Sequence, residues 1–232
     1  MKPLFALTLS LATVMSVAAM AATTERVRGT ITAVSGDGVT LSTGGGEVTI
    51  HPDANTKYVK VVKSSLDNVD QNSFVGAATK EVGGKLIALE VVVFPPAMRG
   101  AGEGHYAWDR INDTTLAGSQ SATSSMMTNG TVSAVQANGA TANSTMTNGT
   151  VSAADTKGGT KQITVSYKNP KDGTTGQQVI LVPPTAPIVG FEPDTMADIS
   201  VGKVVFIVAS NDGGKMTANL VAIGTEGAPP PM

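Results

Sequence analysis

An internal repeat constrains this chain more than any other feature of its sequence. Displaced by 130 positions, "SLDNVDQNSFVGAATKEVGGKLIALEVVVF" (65–94) lies over "TMADISVGKVVFIVASNDGGKMTANLVAIG" (195–224) without a gap. Val75 meets Val205, Gly83-Gly84-Lys85 meets Gly213-Gly214-Lys215, Ala88 meets Ala218 and Val91 meets Val221. Upstream, "GTITAV" (29–34) resembles "GTVSAA" (149–154) at an offset of 120, so the second copy carries extra residues, which "NPKDGTTG" (169–176) supplies as a longer turn. A repeat of this length points to two homologous modules, 24–96 and 146–226, each a supersecondary unit of its own. The expected layout is completed by a linker over 97–145 and a tail over 227–232.

Within a module the signals are those of strands. "VRGTITAV" and "GVTLST" alternate apolar and polar residues across "SGDG", and "EVTIH" follows "GGG"; period two with Gly and Asp at the turns predicts a β-meander. "PDANTKYVKVVKSSLDNVD" is less regular, and its "SSLDNV" predicts a helical turn capped by Ser64 or Ser65. "SFVGAATKE" and "KLIALEVVVF" around "VGG" then predict two longer strands. Five strands with one apolar face favour closure, which removes exposed edges. The expected fold is therefore all-β: two small five-stranded OB-like barrels in tandem, joined by a Gly/Ser/Thr-rich linker.

The stretch "GTITAVSGDGVTLST…SLDNVDQNSFVGAATKEVGGKLIALEVVV" resembles an uncharacterised bacterial exported OB-like domain family, a domain of unknown function. Its pattern runs "G-x-I-x-x-V", two hairpins, "S-L-x-D-L-x-x-G-x-x-V" and "G-x-L-x-A-x-x-I". The second copy keeps "GTVSAA", "MADISVGKVVFIV" and "GGKMTANLVAI", with Gly202 where the first has Asn72. These motifs are turn glycines and core aliphatics, so the resemblance implies a fold and carries no chemistry.

The N-terminus, "MKPLFALTLSLATVMSVAAMAA", reads as a secretory signal peptide over 1–21: Lys2, an apolar run to about Val17, then Ala19-Met20-Ala21 before the cut. The run is shorter than a membrane span and is interrupted by Thr8, Ser10 and Thr13. A periplasmic or secreted product with no integral membrane segment after cleavage is expected. With no cysteine, it has neither a disulfide framework nor a thiolate metal site. The formal charge of −2 becomes −3 once Lys2 is removed, and no basic run is present, which argues against nucleic acid as a partner.

Between the modules the composition shifts to Gly, Ser, Thr, Asn and Ala. "MTNGTVSAV" (127–135) and "MTNGTVSAA" (146–154) form a tandem duplication, one copy opening the second module and the other surplus. Within this tract "GEGHYAWDR" (102–110) holds the sole tryptophan. As a contact loop it offers an imidazole (His105), two stacking faces (Tyr106, Trp108) and a carboxylate (Asp109). As a structural tract, Tyr106 and Trp108 anchor the linker against a barrel, with Gly102 and Gly104 permitting close approach.

Metal binding is the alternative function. His105 with Met98, Met126 and Met127, and Met146 beyond them, offers imidazole and thioether ligands suited to copper in an exported protein. Against it, no Met-x-Met, Met-x-x-Met or His-x-x-x-His spacing occurs. His51 reads as a rim residue. Enzyme chemistry has less support: neither histidine lies in a nucleophile elbow, no His-Glu-x-x-His or phosphate loop is present, and the pairs Asp67/Asp70 and Glu192/Asp194 read as solvated turn residues. The reading is an exported, non-catalytic binding or envelope-interaction protein, contacting an envelope protein or a small ligand and needing no cofactor. The alternative is a periplasmic copper-binding or metal-transport accessory protein.

Overall fold

The computed structural model describes residues 22–115, 121–137, 159–170 and 172–230. The segment read as a signal peptide, Met146 and the repeat copy at 146–154 lie outside the described residues. Strands β1 (Thr23–Val34), β2 (Val39–Thr43) and β3 (Gly46–Lys63) form the meander. A 3-10 turn, Leu66–Asn68, follows, capped by Ser65 through the Asp67 amide. Then come β4 (Phe74–Val82), β5 (Lys85–Val93), β6 (Gly104–Asn112) and β7 (Ala122–Ala137). Strands β8 (Lys161–Lys168), β9 (Thr175–Val182), β10 (Ile188–Pro193), β11 (Val204–Asp212) and β12 (Lys215–Ile223) complete the chain. Among the described residues, no helix is long and apolar enough to cross a membrane.

The two OB-like barrels expected in tandem are not formed. All twelve strands belong to one mixed sheet, ordered β12-β11-β1-β2-β3-β10-β5-β4-β7-β8-β9, with β6 added to β7 and further pairings β12–β3 and β5–β9. Two features overturn the expectation. First, the repeats exchange halves: β1 and β3 of the first pair with β11 and β12 of the second, while β4 and β5 of the first pair with β7, from the tract read as linker, and with β9 of the second. Second, β10 is hydrogen-bonded to both β3 and β5, so the two flanks share one ladder instead of standing apart across a linker.

Register shows how the exchange is organised. Between β3 and β10, Val61 lies opposite Phe191, and these are the same repeat position 130 residues apart. A local two-fold axis therefore passes between them. It maps the parallel pair Val59–Ala222 onto Val189–Val92, and the antiparallel pair Val205–Ile223 onto Val75–Val93. Thr30 lies opposite Val204, and Thr131 lies opposite Phe74. So "GTITAV" is matched in the fold by "GTVSAV" (130–135), at an offset of 101. The tract read as linker supplies β6 and β7, and β7 is a central strand of its flank.

Each flank has its own core, and each core draws on both repeats. One holds Ile31, Val39, Leu41, Ile50, Val205 and Val221; the other holds the equivalent Val132, Ile163, Val165, Ile180, Val75 and Val91. A third cluster, with Val61, Phe191, Val92 and Phe206, sits where the flanks meet. Among the described residues, only β6 has no counterpart. Just beyond its end, the Lys80 ammonium donates to Asp113 at 2.7 Å and to Thr115 at 2.6 Å. Burial pushes the Asp113 carboxyl up, but the hydrogen bonds from Lys80 and Thr115 outweigh it and hold the group below its ordinary value.

Candidate functional site

The unmatched strand β6 covers a cavity between the flanks. It measures about 310 Å³ and is walled by Val92, Phe94, Phe191, Phe206, Val208 and Leu220, with Met98, Tyr106, Trp108, Met127 and Asn129 on the β6–β7 side. Its shape follows from divergence between the repeats. Facing walls are equivalent by the two-fold, yet Phe206 on one corresponds to Gly76 on the other, and Arg28 to Asn129. Phe206 fills its place; Gly76 leaves room for the Asn129 amide. A Cβ at Gly76 would lie 2.4 Å from Asn129 Oδ1 and 3.0 Å from the Phe94 ring.

Asn129 is 7% exposed. Its Nδ2 donates to the Gly102 carbonyl at 3.1 Å and faces the Ala101 carbonyl at 3.4 Å, which fixes the amide orientation. The Tyr106 hydroxyl donates to the same Gly102 carbonyl at 3.0 Å. Gly102 can occupy this corner because it lacks a Cβ, which would approach Asn129 Nδ2 to 3.0 Å, and because its φ is +58°. Asn129 Oδ1 is left without a hydrogen-bond partner, as is Trp108 Nε1. Both atoms belong to residues that line an otherwise largely apolar cavity.

The structure divides the four contact residues expected in "GHYAWD". Tyr106 and Trp108 line the cavity, with ring centroids 6.0 Å apart. Trp108 lies 6.5 Å from the Phe206 ring, and the Arg26 guanidinium stacks over it at 3.9 Å. Asp109 accepts from Arg28 at 2.7 Å and from Arg26 at 3.3 Å, tying β6 to β1. Arg28 leaves Nε and Nη2 unpaired but packs its guanidinium 4.7 Å from the Phe206 ring, where cation–π attraction offsets part of the desolvation. His105, next along β6, points to the other face of the strand. Its Nδ1 lies 2.9 Å from Thr128 Oγ1 and its ring stacks against Tyr167; burial pushes its pKa down.

The same alternation separates the copper candidates. Met98 and Met127 line the cavity, whereas His105 does not, and Met126 alternates with Met127 to the face that His105 shares. Among the described residues, no three His, Cys, Asp or Glu side chains are grouped to hold a metal ion. His51 bonds through Nδ1 to the Asp37 carbonyl at the first turn. Asp67 pairs with Lys161 and Ser65, and Glu192 pairs with Lys60 at 3.0 Å. Asn129, Gly76, Phe206 and Arg26 were not among the expected site residues. The offset of 130 sets Gly76 against Phe206, while aligning β1 with β7 at an offset of 101 sets Asn129 against Arg28 and Met127 against Arg26; at each pair the repeats differ in size or polarity.

The chain matches no protein-family model, no curated protein and no solved structure.

Proposed function

We propose that this chain is a non-catalytic binding protein that holds one small, largely apolar molecule in the cavity beneath β6. The observation that carries this reading is the chamber itself, about 310 Å³ with a largely apolar lining that brings Phe94, Tyr106, Trp108, Phe191 and Phe206 together. A cavity of about 150 Å³ accepts benzene, so this one has room for about two such rings. The aromatic lid over a largely apolar lining fits binding of a small molecule. Such a role suits the exported address expected from the N-terminus.

Diphenylamine, two rings matched to this volume, is the appropriate probe. Because Trp108 is the only tryptophan, its emission reports on the cavity directly. Titration is expected to give saturable quenching at one probe per chain. Ala101→Phe, which places a ring at the lining, is expected to abolish binding. Unsaturable quenching, equal in the wild type and Ala101→Phe, would refute the proposal.

A further inference from the structure

One cavity wall differs from the other in charge. On the β1 flank, register places Arg26 opposite Val208, Val208 opposite Leu220 and Leu220 opposite Lys57, a row that crosses four strands. Three strand spacings put the backbones of Arg26 and Lys57 about 14 Å apart, and all four residues line the cavity. The positions equivalent to the two cations on the facing flank are Met127 and Pro187, both uncharged. Among the described residues, no carboxylate lines the cavity.

The cationic charge is only partly neutralised. Asp109 is shared between Arg26 and Arg28, and its shorter bond is to Arg28, so the two guanidiniums and one carboxylate carry a net positive charge. Lys57 is exposed and makes no ion pair among the described residues. An apolar chamber of this size, with cations on one wall only, is complementary to a molecule with an apolar body and a single negative head.

Resting on the binding role above, we propose that the ligand is an anionic amphiphile, a single-chain monocarboxylate whose chain fills the chamber and whose carboxylate is held on the Arg26–Lys57 wall. By the same volume comparison, a body of about ten to twelve carbons fits. Charge-assisted bonds to the carboxylate strengthen binding beyond what burial of the chain supplies.

The test compares decanoate with 1-decanol, which share a chain and differ in charge, by titration of Trp108 emission in the full mature protein at low salt. Decanoate is expected to bind about tenfold more tightly than the alcohol. That preference is expected to shrink in high salt, to fall most of the way in Lys57→Met and to reverse in Lys57→Glu. Equal binding of the two probes, or a preference for decanoate that both Lys57 variants retain, would overturn the anionic assignment and leave the binding role standing. If neither probe perturbs Trp108, both readings fall.

Discussion

Cleaved between Thr115 and Ser121, the chain is expected to yield two fragments that do not fold alone and that recover the native sheet only when mixed. The reason lies in where the ladders run. The N-terminal fragment keeps the β1–β2–β3 meander and the β4–β5 hairpin, but β1 loses β11, β3 loses β12 and β10, β4 loses β7, and β5 loses β9 and β10. Both flank cores are thereby halved, since Ile31 and Leu41 pack with Val205 and Val221, and Val75 and Val91 with Val132 and Ile180. A hairpin without a covering partner is marginal in water. Circular dichroism and urea titration should show no cooperative transition for either fragment alone and a single transition for the equimolar mixture, with a one-to-one complex by light scattering. A folded monomer of either fragment would count against the exchanged arrangement.

Gly130→Ala is expected to destabilise the protein by about 3 kcal/mol, and Gly29→Ala to do nearly the same. These two glycines occupy equivalent positions, just before the register shifts at Ile31/Ala33 in β1–β2 and Val132/Ala134 in β7–β8. There the paired backbones come so close that a Cβ on Gly130 would lie 2.3 Å from the Ser166 carbonyl oxygen, and one on Gly29 2.4 Å from that of Ser42. Neither obstacle is a side-chain end that could swing away, so the strand itself must move. Gly36→Ala is the control: its Cβ would meet nothing within 4 Å. Its unfolding midpoint should stay near that of the wild type, whereas both tight glycines should shift theirs downward. Wild-type midpoints for Gly29→Ala and Gly130→Ala would mean that the strands do not approach in this way.

Much of the local structure could be read from the sequence. The turns at "SGDG" and "VGG", the cap at Ser65 and the hairpins of both repeats lie where Gly, Asp and Ser placed them. Partner choice was not legible, for a physical reason. Because β4 and β11 carry the same apolar pattern, with Val75 and Val205 in equivalent places, β1 can satisfy its hydrophobic face against either. The continuation of β3 through Thr56–Lys63 was hidden by Pro52, Asp53 and Asn55, which break the alternation where the β12 ladder shifts register. Strand β7 was hidden differently. Ser125, Met127, Thr128, Asn129 and Gly130 are all buried, so successive residues on both faces are covered and no period-two contrast marks the strand. Its small polar residues mimic a linker. The cavity was half legible: the aromatics of "GHYAWD" stood out and the 130-residue repeat sets Gly76 against Phe206, but Asn129 emerges against Arg28 only when β1 and β7 are aligned through the fold.

The cavity exists because the repeats exchange halves, so strand pairing is the property to measure. The chain contains no cysteine, which makes introduced pairs unambiguous. Thr30 and Val204 face each other across β1–β11, at a separation that a disulfide can bridge in an antiparallel pair. In a tandem arrangement Thr30 would instead face Phe74, the residue equivalent to Val204. Mild oxidation of dilute monomeric protein is expected to give an intramolecular disulfide in Thr30→Cys/Val204→Cys and none in Thr30→Cys/Phe74→Cys. The opposite pattern would contradict the exchanged sheet, and with it the origin assigned to the cavity.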